Sequence, residues 1–144
     1  MNEAELALLG AMLMDPECID GVEKLIGHKD FDAARNKYIF LAISEMNKVK
    51  QDIDLISLTK KLRKMGITEG MVETKYICRL SSACPTSANP EYYARVVLAC
   101  SLRRSLKQIS ERLAVDYQDI SKSVVDIVAE LATRIEELVK RTKA

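Results

Sequence analysis

The sequence predicts an all-α protein, a globular helical head of about five to six helices followed by a long antiparallel helical hairpin. Three observations carry this. Apolar residues recur at three- and four-residue steps through most of the chain, giving one apolar stripe per helix. No run alternates apolar and polar residues convincingly with period two, so no sheet is expected. The composition is 48% hydrophobic and 30% charged with only 5 Gly and 3 Pro, the balance of a helical protein with few breakers.

From Glu3 to Met14, Leu6, Leu9, Met12 and Leu13 share one face, and acids in the first turn suit the positive end of the helix dipole. Asp15 and Pro16 stop this helix and start another. Asp15 is expected to cap a short helix from Pro16 to Ile26 that turns Ile19, Val22, Leu25 and Ile26 inward. His28 to Phe31 reads as a turn anchored by Phe31. A third helix is expected from Ala33 to Lys50, with Tyr38, Ile39, Ala42, Ile43, Met46 and Val49 at helical spacing. Asp54 caps a fourth, with Leu55, Leu58 and Leu62 on one face and Gly66 ending it as the C′ residue. Its outer face carries Lys60, Lys61, Arg63 and Lys64, the most basic local cluster. Such a run ordinarily means a solvated helix face, and phosphate binding is the functional alternative. After a loop over Ile67 to Met71, a fifth helix over Val72 to Ala83 brings Tyr76, Ile77 and Leu80 inward. A linker follows over Cys84 to Ala88, where Pro85 prevents simple continuation.

The longest helical signal runs from Ala88 to Tyr117. Asn89 and Pro90 are a cap and a first-turn proline, and Leu98, Leu102, Leu106, Ile109 and Leu113 form one stripe. At about 1.5 Å per residue it extends roughly 40 Å, longer than a small domain is wide. After a short polar break, Gln118 to Ser121, a second stripe appears: Val124, Ile127, Val128, Leu131, Ile135 and Leu138. Two matching stripes across so short a break predict an antiparallel hairpin. Val125, Ala132 and Val139 widen the second stripe to roughly 160°, more than one partner helix covers. The surplus must meet the body of the domain or the same hairpin of another copy. The expected layout is a head over 1–88, a dimerising hairpin over 89–141 and a tail over 142–144.

Net charge is +1, with 22 basic and 21 acidic side chains, so no global field attracts nucleic acid or an acidic membrane. No stretch reaches the roughly 18 apolar residues of a membrane span, and the N-terminus has acids where a signal peptide has bases, so a cytoplasmic location is expected. Cys18, Cys78, Cys84 and Cys100 show no CxxC spacing, and His28 is the single histidine. Buried apolar thiols are expected, not a metal or redox centre. There is no glycine-rich phosphate loop, and the serines have no histidine partner except His28. Glu136 with Glu137, and Asp52 with Asp54, read as solvation or capping. The residues predict a non-enzymatic helical module, without cofactor or metal, that contacts other proteins.

Four stretches, in order, resemble the N-terminal domain of bacterial and phage replicative helicases of the DnaB type. They are EAELALLGAMLMDPE (Glu3 to Glu17), DFDAARNKYIFLAI (Asp30 to Ile43), DIDLISL (Asp52 to Leu58) and PTSANPEYYARVV (Pro85 to Val97), the last followed by Arg103 and Arg104. Asn36 stands where a histidine is usual, and GMVETKYI carries only Gly70 where paired glycines are usual. The resemblance implies hairpins that pair two by two, and six domains forming a collar of three dimers. It implies docking of the C-terminal helicase-binding domain of primase, contact with a loader or initiator, and DNA contact only weak or indirect. The implied dimer seam is Leu102, Leu106, Ile109, Leu113, Val124, Ile127, Val128, Leu131, Ile135 and Leu138. The implied primase contacts are Glu3, Tyr76, Leu106 and Arg112. In the family a RecA-type ATPase domain that uses ATP and Mg follows. It is absent from this chain, which reads as a piece of a helicase or a free-standing relative. Two rivals stay open, the helicase-binding C-terminal domain of a primase and a collar mimic that loads or inhibits a host helicase. Direct nucleic-acid binding through Lys60 to Lys64 is a third.

Overall fold

Seven α-helices and no strand form among the described residues, 2–84 and 89–143, of the computed structural model. They are α1 (Asn2–Met14), α2 (Ile19–Leu25), α3 (Ala34–Lys48), α4 (Leu55–Lys64), α5 (Thr74–Ala83), α6 (Pro90–Asp116) and α7 (Val124–Thr142). Internal contacts divide the chain into two units, Met1–Ala99 and Cys100–Ala144. The division falls inside α6, whose start belongs with the head because Ala94, Val97 and Leu98 are buried there. Of the expected linker over Cys84 to Ala88, residues 85–88 lie outside the described residues. None of the described helices is long and apolar enough to cross a membrane.

In the head, α1 packs against α5 and α3. Held between two partners, it buries more than one stripe: Ala7, Leu8, Leu9, Ala11 and Met12 are buried, whereas Leu6 and Leu13 are only half-buried. Gly10 marks the tightest approach to α5. A Cβ there would stand 2.5 Å from the Leu80 carbonyl oxygen and 3.1 Å from the Cys84 Cβ. Glycine lets two backbones come closer than any side chain allows.

Several ends form as the sequence implies. The Asp54 carboxylate accepts from the Ser57 N–H at 2.7 Å while the Ser57 hydroxyl accepts from the Asp54 N–H at 2.9 Å. Gly66, at φ 84°, closes α4, with the Ile67 N–H reaching back to the Leu62 carbonyl. The Asn89 side chain accepts from the Glu91 N–H at 3.0 Å, with Pro90 at the first helical position. Tyr76, Ile77 and Leu80 are buried on α5, and Phe31 is buried against Phe40 with ring centroids 4.9 Å apart.

Other expectations are corrected. Asp15 makes no side-chain cap. Pro16–Cys18 form a 3-10 turn whose closing Cys18 N–H is satisfied by the Asp15 carbonyl, and α2 starts only at Ile19. The third helix stops at Lys48. Lys50 adopts φ 55° and the Gln51 N–H bonds to the Met46 carbonyl, so a lysine occupies the left-handed closing position that glycine usually takes. Val49 is therefore carried out of the core, 72% exposed. Val72 is buried but precedes α5, because Thr74 is where the helix begins. No cysteine is fully buried: Cys18, Cys84 and Cys100 are half-buried and Cys78 is exposed, and none is in a disulfide. Desolvation, with the nearby Asp15 carboxylate, pushes the Cys18 thiol up to about 11, so it stays protonated.

The Gly10 contact makes a signed prediction. Alanine gains about 1 kcal/mol of intrinsic helix propensity over glycine, but here its methyl meets a backbone carbonyl that cannot rotate away. Gly10→Ala is expected to destabilise the chain by about 1–3 kcal/mol in urea unfolding. A stabilised variant would mean that α1 and α5 are not so close.

Candidate interaction surfaces

The hairpin unit is built by facing α6 and α7 antiparallel. Ile109, Arg112, Leu113 and Asp116 of α6 line one shallow groove with Ile127, Glu130, Leu131 and Arg134 of α7, and further along Ser105 and Gln108 face Thr133 and Leu138. Ser123 caps α7 by accepting from the Asp126 N–H. At the turn, Asp116 is only 5% exposed. It accepts from Lys122 at 2.7 Å and from Arg112 at 3.2 Å, and Arg112 also approaches Glu130 across the seam at 3.8 Å. The Lys122 hydrogen bond, ahead of the one from Arg112, holds the Asp116 carboxyl below the usual carboxylate range.

This seam satisfies only part of the two stripes. Leu102, Ile109, Ile127, Leu131 and Leu138 are half-buried, whereas Leu106, Leu113, Val124, Val128 and Ile135 are exposed, and α7 has no fully buried residue. Taking about 100° per residue, Leu106, Leu113 and Tyr117 lie about 40–80° round from Ile109, and Val128, Ile135 and Val139 lie the same way round from Leu131. In an antiparallel pair that common sense of rotation puts both sets on one side. The result is a single apolar face on the hairpin, with the ion pairs among Arg112, Asp116, Glu130 and Arg134 toward the other edge. Tyr117 and Ile120, exposed near the turn, extend the apolar surface. The stripe count missed them because they sit in or beside the polar break.

The head holds a buried polar knot that the sequence reading missed. Glu5, on α1, is 3% exposed. Its carboxylate accepts from the Asp32 N–H at 2.7 Å, the Ala33 N–H at 3.4 Å and the Asn36 side-chain amide at 2.8 Å. It thereby caps α3, whose own N-cap residue Ala33 has no side chain to do so. Asn36 then accepts from the Tyr76 hydroxyl. The available signals were an acid inside an apolar helix and an asparagine where α3 should be apolar.

The candidate primase-contact residues divide between the two units. Glu3 is exposed and lines a groove with Ala4, Ala83, Tyr92, Tyr93 and Val96. Tyr76 is only 4% exposed. Its ring lies under the Arg35 guanidinium at 3.8 Å, and Arg79 stands 6.0 Å away. In the hairpin, Leu106 is exposed on the apolar face and Arg112 lies toward the charged edge. The basic cluster on α4 is partly engaged internally, Lys61 with Glu45 at 3.2 Å and Arg63 with Glu69. His28 is half-buried in its 3-10 turn. Among the described residues no three His, Cys, Asp or Glu side chains are grouped to hold a metal ion.

A head knotted by buried hydrogen bonds and a hairpin with one open apolar face define a two-unit helical protein. The family model of the DnaB-like helicase N-terminal domain matches residues 1–99. The replicative DNA helicase DnaB of Geobacillus stearothermophilus is 30% identical over 139 residues, which is 96% of this chain and 31% of that protein. The crystal structure of the N-terminal domain of DnaB helicase from Mycobacterium tuberculosis superposes with a TM-score of 0.85 at 24% identity, covering 95% of this chain and 96% of that one. A DnaB-like replicative helicase, described together with its interactions with primase, gives 0.72 at 17% identity over 96% of this chain and 31% of its own. The chain belongs to the DnaB-like helicase N-terminal domain family. It spans less than a third of the length of the first curated relatives it matches.

Two outcomes follow. Removing the Tyr76 hydroxyl leaves the buried Asn36 oxygen without its donor, so Tyr76→Phe should cost about 1–3 kcal/mol in urea unfolding. A cost below about 0.5 kcal/mol would mean that the bond contributes nothing net. For Asp116 the folded pKa is depressed below the unfolded value of 3.8. Its stabilisation is thus complete above that value and lost as pH falls through the lower folded pKa. Thermal unfolding monitored from pH 5 to pH 2 should show acid destabilisation that is smaller in Asp116→Asn. Equal slopes in the two proteins would rule the clamp out as a source of acid lability.

Proposed function

We propose that this chain is the N-terminal collar domain of a hexameric replicative DNA helicase, non-catalytic itself, pairing through its hairpins and docking primase. The observation that carries this reading is the continuous apolar face of the hairpin, with Leu106 at 50% and Val128 at 58% exposure. The family places such a domain ahead of an ATPase motor, and any ATP and Mg chemistry would belong to that motor. In this reading Leu106, Leu113, Val124, Val128 and Ile135 meet the second hairpin, while Leu102, Ile109, Ile127, Leu131 and Leu138 hold each hairpin together beneath it. Three dimers would complete the collar, and a loader or initiator is a further partner. In the same reading Glu3 and Arg112 contact primase directly, and Leu106, covered by the second hairpin, supports docking through the pairing. Tyr76 would act through the two arginines beside its ring.

Light scattering after size exclusion, over a wide concentration range, tests the pairing. The expected result is a dimer or hexamer for the natural sequence and a monomer of unchanged helicity for the double variant Val128→Asp, Ile135→Asp. Two carboxylates forced into an apolar seam weaken association by about a hundredfold or more. Val128 is preferable to Leu131 as a target because Leu131 also holds α7 to α6. An unchanged mass in the variant would remove the seam. Primase docking is tested by titrating the helicase-binding domain of a primase, with weaker binding expected for Leu106→Ala and Arg112→Ala. A monomer that binds no primase but does bind an intact helicase would favour the mimic.

A further inference from the structure

The α4 surface carries a feature that the collar reading does not use. Gln51, Asp54, Ile56, Lys60, Lys61 and Lys64 line an open groove of about 470 Å³. Ile56 is 71% exposed at its head. Lys60 and Lys64 follow at four-residue steps, which sets them about 6 and 12 Å along the helix from Ile56. A preference for lysine in the last turn of a helix explains the basic end by itself. It does not explain a bare isoleucine in the first turn.

The groove is ordered by charge. At the N-terminal end the Asp54 carboxylate is tied to the Ser57 N–H, and that bond holds its pKa down, so it stays ionised. At the other end Lys60 and Lys64 are exposed, and Lys61 is tethered to Glu45. A ligand must therefore offer an apolar group at Ile56 and negative charge about one and two turns further on, away from Asp54. Single-stranded nucleic acid fits this poorly. None of the lining residues is aromatic, so bases have nothing to stack on, and Asp54 faces the phosphates. An acidic protein segment with an aliphatic anchor satisfies both requirements.

We propose that this groove docks such a segment, its aliphatic side chain on Ile56 and its carboxylates on Lys60 and Lys64. The test is a display library of random 16-residue peptides panned on the whole chain, with the Lys60→Glu, Lys64→Glu double variant as counter-selection. All three residues are exposed, so the variants should keep the parent circular dichroism. The expected result is enrichment of peptides that combine Asp or Glu with Leu, Ile or Val. Their affinity should fall about tenfold both in the double-lysine variant and in Ile56→Ser, and should weaken as salt rises. Failure to enrich peptides that distinguish the parent from the variant would overturn the proposal. So would enrichment of basic sequences, or a 15-nucleotide oligothymidine binding at the same lysines in place of the peptides.

Discussion

A carboxylate taken out of water must recover several hydrogen bonds or give up its charge, and in the head Glu5 is under that constraint, as is Asp30, which accepts locally from the Gly27 N–H. For Glu5, two backbone N–H groups and the Asn36 amide supply the bonds. Both N–H groups come from the entry to α3, so the requirement fixes where α3 begins and how it meets α1. Asn36 passes the constraint to α5 through Tyr76. Three helices that would otherwise slide on apolar contacts are held in one register by a hydrogen-bond chain with little tolerance for displacement. Gly10 is the steric counterpart, admitting the α5 backbone at the distance the chain of bonds demands.

The hairpin obeys the opposite logic. Two helices alone cover one side of each other, so any apolar arc much wider than that seam stays in water. Burying a valine, leucine or isoleucine contributes about 1.5–3 kcal/mol. Leu106, Leu113, Val124, Val128 and Ile135 are between 36% and 74% exposed, so covering what remains on each of two copies would contribute on the order of 8–15 kcal/mol, comparable to the roughly 4–15 kcal/mol cost of association. The charged edge has a different part. Arg112, Glu130 and Arg134 stay solvated as i,i+4 and cross-helix pairs, worth little in stability but unfavourable to bury. They leave the apolar side as the less costly one to cover.

What the sequence made legible was whatever depends on local chemistry. The caps at Asp54 and Asn89, the stop at Gly66 and the two hairpin stripes each rest on residues within a turn or two of one another, and each is found. What depends on a distant partner was not legible. Leu8 is buried and Leu6 is not, because α1 lies between α3 and α5, a fact no window of α1 contains. Lys50 in the left-handed region follows from where α3 must stop, against its own preference. Asp15 had the right identity for a cap, but the 3-10 turn at Pro16–Cys18 used its backbone instead. Glu5 read as a helix-dipole residue because its true partners are about thirty positions away.

Tyr76 shows how an alignment-level contact and a structural role diverge. Carried over by resemblance it is a docking residue, yet its ring is buried and its hydroxyl committed to Asn36. A partner approaching this part of the head meets guanidinium groups first, Arg35 stacked on the ring and Arg79 beside it. Stacking restricts a long side chain that would otherwise lose much rotamer freedom on binding, so the ring pre-organises a planar fork suited to carboxylates. If the proposed docking holds, loss of the ring weakens it without the ring touching the partner, and Tyr76→Phe, which keeps the ring, separates that effect from loss of the hydroxyl. In the proposed docking a buried residue would contribute through what it holds in place, and what Tyr76 holds is the Arg35 cation.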